Sequence, residues 1–66
     1  RSRIFKWYRQ LREIEDAVGQ RPANQLLQEL DGIEKHAERI TVPLSYADQL
    51  YALRSHINLV RDRLQS

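Results

Sequence analysis

The residues from which this chain could build a reactive centre are two histidines, four serines, two glycines and seven acids crowded into two stretches. His36 precedes Ala37 by one place and His56 precedes Ile57 by one. Neither has a second His, or an acid four residues on, to make a chelating pair. Both are expected as boundary or solvent-facing side chains. Ser2, Ser45, Ser55 and Ser66 lack the elbow motif of a nucleophile, and Ser45 reads better as a helix N-cap. Gly19 and Gly32 stand apart from each other and form no phosphate-cradling loop. With no cysteine, disulfides, thiolate zinc sites and thiol redox chemistry are excluded.

Glu13, Glu15, Asp16, Glu29, Asp31, Glu34 and Glu38 could be imagined as paired carboxylates, but their spacing suits solvated helix faces. Asp31 and Lys35 form an i, i+4 pair in the favourable order, worth ~0.2–0.5 kcal/mol. Arg12 can reach Asp16. Glu34 and Glu38 repel at the same spacing, as a partner-facing acidic edge would. No catalytic residue, metal ligand or cofactor site is expected, and a chain of 66 residues has little interior to enclose a small-molecule pocket. The expectation is a chain that is not an enzyme.

The segment with most chemical character is the first. Arg1, Arg3, Lys6, Arg9 and Arg12 give residues 1–12 a charge of +5 with no acid. The remaining residues carry six basic and nine acidic side chains, which is −3, so the net +2 and the pI near 9.4 are properties of one end. Basic residues at a helix N-terminus oppose the helix dipole, and Glu13, Glu15 and Asp16 near its other end oppose it too. The conflict is relieved if the helix continues upstream, so the chain is expected to be a fragment of a larger protein. Basic residues interleaved with Trp7 and Tyr8 are also what flanks a membrane helix on its cytoplasmic side. Arg1, Arg3, Lys6, Trp7, Tyr8 and Arg9 are therefore the candidate membrane-surface residues, facing an anionic leaflet. A nucleic-acid-binding helical domain using the same basic helix is the alternative. It is disfavoured because the basic character stops at Arg12 instead of spreading along a recognition face.

The elements that must position these residues follow from hydrophobic spacing. Ile4, Trp7, Leu11, Ile14 and Val18 step by three and four. So do Ala23, Leu26, Leu30, Ile33, Ala37 and Ile40, and so do Tyr46, Leu50, Leu53, Ile57, Val60 and Leu64. Each set draws one apolar stripe along a helix, and no segment alternates with period two. Two breaks separate the stripes. Gly19-Gln20-Arg21-Pro22 joins a helix-ending Gly to a Pro suited to a first turn, and Thr41-Val42-Pro43-Leu44-Ser45 is the second. Ser45 followed by Asp48 resembles a capping box. The spacing predicts helices over 3–18, 22–40 and 45–64 in a single all-α domain, a small antiparallel three-helix bundle with heptad-like seams. Leu11, Ile14, Leu30, Ile33, Leu50, Leu53, Ile57 and Val60 are the expected packing residues, whereas Arg54 and Arg61 lie off the stripe. Gly32 is read as a helix glycine tolerated at a cost of ~1 kcal/mol. Phe5, Tyr8, Leu27, Ala47, Tyr51 and Leu59 widen the stripes, so either the third helix or a second chain completes the core.

Two stretches carry a family likeness. Arg3-Ile4-Phe5-Lys6-Trp7-Tyr8-Arg9-Gln10-Leu11-Arg12 with Glu15, and Val42-Pro43-Leu44-Ser45-Tyr46-Ala47-Asp48-Gln49-Leu50-Tyr51-Ala52-Leu53-Arg54-Ser55-His56-Ile57, resemble the C-terminal tail of membrane-anchored solute-binding proteins of the TAXI family. These proteins serve tripartite ATP-independent periplasmic (TRAP) transporters of bacteria. The likeness is carried by the two ends of the chain more than by 17–41. It implies a periplasmic ligand-binding region, then a membrane helix, then this short helical tail on the cytoplasmic side of the inner membrane. The solute-binding residues of such a protein would lie in the periplasmic part, so no ligand-binding or cofactor residue carries over. The implied partners are the chain itself or the membrane subunits of the transporter, together with the anionic membrane surface. Neither nucleic acid nor a small-molecule ligand is expected on this segment.

Overall fold

The structure, a computed structural model, describes residues 4–40 and 42–66. Each stripe forms one helix: α1 (Ile4–Ala17), α2 (Ala23–Arg39) and α3 (Ala47–Gln65), the last preceded by a short 3-10 turn at Leu44–Tyr46. Among the described residues there is no strand, only an isolated backbone bridge between Val18 and Arg21 in the first turn. The architecture is the small all-α bundle that the spacing predicts.

Local chemistry explains the boundaries. α1 ends because Gly19 turns into the left-handed region, at φ 85°, where a side chain would be strained. The Gln20 and Arg21 amides then donate to the Ala17 carbonyl at 2.9 and 3.0 Å, closing a tight turn. Pro22, extended at ψ 133°, is the N-cap of α2, so the helix starts at Ala23, one place later than the spacing predicts. Its carbonyl accepts from Leu26 at 3.2 Å, and its missing N–H leaves no donor to satisfy. The second break departs further from expectation. Ser45 does not cap α3; it lies inside the 3-10 turn, and no side chain caps the helix that starts at Ala47. Pro43 stands at the N-cap of the 3-10 turn, its carbonyl accepting from Tyr46 at 2.8 Å, and Tyr46 occupies the N-cap position of α3, so the chain winds tightly before relaxing into the α form. Thr41 and residues 1–3 lie outside the described residues.

The stripes close on one another around a single apolar core. Ile4, Trp7, Leu11 and Ile14 of α1 meet Leu26, Leu30, Ile33 and Ala37 of α2 and Leu53, Ile57 and Val60 of α3. The third helix of the same chain therefore completes the interior. Side-chain contacts fix the directions. Tyr8 reaches Gln49 and His56, so α1 and α3 run parallel, with α2 antiparallel between them. Leu50, expected in the buried seam, is only half-buried, because it sits in the first turns of α3, at the edge of the core with Val42 and Tyr46. Ala23, expected on the second stripe, is exposed at the start of α2. Phe5, Tyr51 and Leu59 widen the stripes on the sequence but stay largely in solvent, at 59%, 65% and 60% exposure.

Gly32 lies in mid-α2, and a methyl group built there meets no neighbouring atom within 4 Å. Its place is thus not dictated by close packing. Substitution Gly32→Ala is expected to stabilise the fold by ~1 kcal/mol, the helix-propensity difference. Gly19→Ala should destabilise it by ~1 kcal/mol, since it forces a side chain into the left-handed region. Urea denaturation followed by circular dichroism reads both, and equal signs would contradict the turn geometry.

Within the core, Leu53→Ala or Ile57→Ala should cost ~2–5 kcal/mol by the usual transfer and cavity terms, a large share of what a domain this size holds. Arg54→Ala should stay within ~0.5 kcal/mol as an exposed substitution. Equal losses at Arg54 and Leu53 would show that the helix has been turned the wrong way.

Candidate functional site

The chemistry of this molecule is on its surface. Among the described residues, no polar or charged residue is buried, and no cluster of three or more His, Cys, Asp or Glu is placed to hold a metal ion. The surface features are a charged outer face on α1, an open groove beside it, and an ion-pair clasp on the opposite side.

Of the six residues assigned to a membrane surface, Lys6 and Arg9 are exposed on α1, while Arg1 and Arg3 lie outside the described residues. Trp7 belongs to the core instead. It is 6% exposed, and its indole stacks on the His36 ring of α2, with centroids 6.0 Å apart and planes inclined by 11°. The stripe spacing that made Trp7 a seam residue prevails over its basic neighbours, because burying an indole outweighs its interfacial preference. Tyr8 is half-buried. Its hydroxyl donates to the Gln49 carbonyl at 3.2 Å, and its ring meets His56 edge-on at 6.1 Å. Burial raises the Tyr8 pKa above the ordinary phenol value. Both histidines are thus solvent-facing, each laid against an aromatic ring of α1.

Between α1 and α3 runs an open groove of about 470 Å³, lined by Tyr8, Arg9, Arg12, Glu15, Asp16 and His56. Two smaller clefts of about 310 and 360 Å³ lie between α1 and α2, the first beside Glu13, Gly32 and His36, the second beside Lys6, Trp7 and His36. The α1 charges themselves are unengaged. Among the described residues none of Lys6, Arg9, Arg12, Glu13, Glu15 and Asp16 lies in an ion pair, so the expected Arg12–Asp16 contact is not formed. The first turn of α1 holds no acid and its last turn no base, so the helix dipole is uncompensated at both ends.

The other side of the bundle uses its charges. Arg61 of α3, its side chain 20% exposed, grips Glu34 of α2 through two parallel bonds of 2.8 and 3.2 Å and reaches Asp31 at 2.9 Å. The Asn58 side chain accepts a further bond from it at 3.0 Å. Hydrogen bonding to Glu34, with that to Asp31, holds the Arg61 pKa above its ordinary value. The sequence reading had Asp31 paired with Lys35 and Glu34 on an acidic outer edge; both acids turn to Arg61 instead. Arg61 shares the off-stripe position of Arg54, but it lies level with two acids across the α2–α3 seam. Spacing along one helix cannot show that alignment. A second pair, Arg21 with Glu29, ties the first turn to α2 and holds the Glu29 carboxyl below its ordinary value through the guanidinium hydrogen bond.

Comparisons with protein-family models, with curated proteins and with solved structures find no match to this chain. Among the described residues, no helix is long and apolar enough to cross a membrane.

Because Arg61 forks onto a carboxylate while its stem is partly covered, Arg61→Ala is expected to cost ~1–2 kcal/mol, above the exposed-pair range. Arg61→Lys should recover only part of that, since an ammonium cannot make the paired bonds. Full rescue by Lys in thermal denaturation would reduce the clasp to a point-charge effect.

Proposed function

We propose that this chain is a non-catalytic helical interaction module that follows the membrane helix of a TAXI-type solute-binding protein, on the cytoplasmic face of the inner membrane. The observation that carries the reading is the state of α1. Its N-terminal half keeps Lys6 and Arg9 in solvent without ion-pair partners, and at Lys6, in the first turn, the helix dipole disfavours a cation. A cationic helix end with no compensation inside its own fold suits an external anionic surface, and a lipid headgroup layer next to a membrane helix is one. The likeness of residues 3–15 and 42–57 to the TAXI tail supports the same topology. Trp7 takes no part at the lipid surface in this reading: it locks α1 to the bundle, and the basic side chains alone face the headgroups. The work of the module is helix–helix contact, with another copy of itself or with the membrane subunits of a TRAP transporter. The apolar core is consumed within the chain, and the exposed faces remain for partners.

Each basic side chain near an anionic leaflet contributes ~1 kcal/mol. The chain should therefore bind vesicles containing phosphatidylglycerol weakly, release them as salt is raised, and ignore vesicles of phosphatidylcholine alone. Replacing Arg1, Arg3, Lys6 and Arg9 together by Gln should abolish binding. A C-terminal reporter on the full-length protein should report the cytoplasm. Binding that survives the fourfold replacement defeats the electrostatic mechanism, and a periplasmic report defeats the topology.

A further inference from the structure

The outer face of α1 has a charge order that the membrane reading uses only in part. Phe5, Arg9, Arg12 and Asp16 are all exposed and step by four, three and four, a second stripe along the side of α1 away from the core. Phe5 stands at its head, 59% exposed. Along the helix the sign of charge changes once, between Arg12 and Glu13. Lys6, Arg9 and Arg12 lie on one side of that point, and Glu13, Glu15 and Asp16 on the other. A face with this order is complementary to itself when turned end for end.

We infer that this face of α1 is the contact through which two copies of the chain associate, as an antiparallel pair of α1 helices about a two-fold axis passing between Arg12 and Glu13. The inference rests on the interaction-module reading and names its partner, a second copy of this chain. In that arrangement Arg9 of each copy comes opposite Asp16 of the other, and Arg12 lies beside Glu13. A two-fold contact of this kind uses the same patch on both copies, so each attractive pair occurs twice. The partner also supplies what each helix lacks. Its acidic end meets the uncompensated basic N-terminal half, its basic half meets the uncompensated acidic end, and the two helix dipoles run in opposite directions. The groove beside α1, with Arg9 and Arg12 towards one end and Glu15 and Asp16 towards the other, is open to receive the neighbouring side chains. The overlap is about ten residues, or ~15 Å of helix. That is a small contact, so the pair is a weak one, formed in the upper micromolar range or above (roughly 0.1–1 mM) unless the chains are held close together.

Sedimentation equilibrium at ~1 mM chain and low ionic strength should give a mass above that of the monomer, falling to the monomer in ~1 M salt. Two variants separate this from a generic tendency to stick. Arg9→Glu with Arg12→Glu makes the face wholly acidic, and Glu13→Lys with Asp16→Lys makes it wholly basic. Each should be monomeric alone, and an equimolar mixture should form a one-to-one complex. The fourfold variant carrying all four changes restores the order in reverse and should associate like the parent, which covers the case in which one double variant fails to fold by circular dichroism. A parent chain that stays monomeric at low salt overturns the inference, as do double variants that associate like the parent or a mixture of folded variants that remains monomeric. The outcome is separable from the membrane reading. A monomer that binds anionic vesicles removes only the pairing, and a salt-sensitive dimer that ignores vesicles removes only the lipid contact.

Discussion

Three helices hold one another in shape through a single apolar seam, since helical stability in a protein comes mainly from packing an apolar face. That mutual burial is the constraint from which the rest of the structure follows. The core is aliphatic apart from Trp7, with no buried polar group among the described residues, so its stabilisation comes from area removed from water and from dispersion. A seam of this kind fixes which face of each helix points inward and leaves the other faces to their own chemistry. The α2–α3 side spends its charges on the Arg61 clasp. The α1 side leaves its charges free.

Much of the fold was legible because a helix writes its buried face at intervals of three and four. Three stripes and two breaks at Gly19–Pro22 and around Pro43 imply three helices, and the short breaks imply antiparallel neighbours. What spacing does not encode is the level of one helix against another. Arg54 and Arg61 are equivalent by position on α3, yet Arg61 alone meets Asp31 and Glu34, because the alignment of α2 with α3 places it there. The same gap explains Leu50, which has the right face and sits near the end of the shared core. Ser45 misled for a different reason. A capping sequence competes with the proline two residues earlier, and the 3-10 turn begun by Pro43 engages the backbone before the serine side chain can cap.

The candidate surface was legible as composition and illegible as geometry. Five basic residues without an acid announce themselves in the first twelve positions. Trp7 and Tyr8 travel with them in the sequence, but the fold pulls the indole inward to stack on His36 and leaves Lys6, Arg9 and Arg12 outside. Aromatic side chains beside basic ones can serve either a headgroup layer or a protein interior. Here the three-four spacing of Trp7 with Ile4 and Leu11 identifies the interior. The unpaired α1 charges became visible only once the fold showed where the pairs elsewhere are made.

The clasp sits on one side of the bundle, so the attachments of α1 differ in kind from those between α2 and α3. α2 and α3 are joined by apolar packing and by a forked ion pair, whereas no ion pair among the described residues ties α1 to either neighbour. Tension arriving through α1 would meet side-chain packing and the Tyr8 contact to Gln49, and lifting that helix would take Ile4, Trp7, Leu11 and Ile14 out of the one core that α2 and α3 share with it. With one core shared by three helices, a load on α1 is a load on the whole domain, and the clasp cannot hold the hairpin in its place.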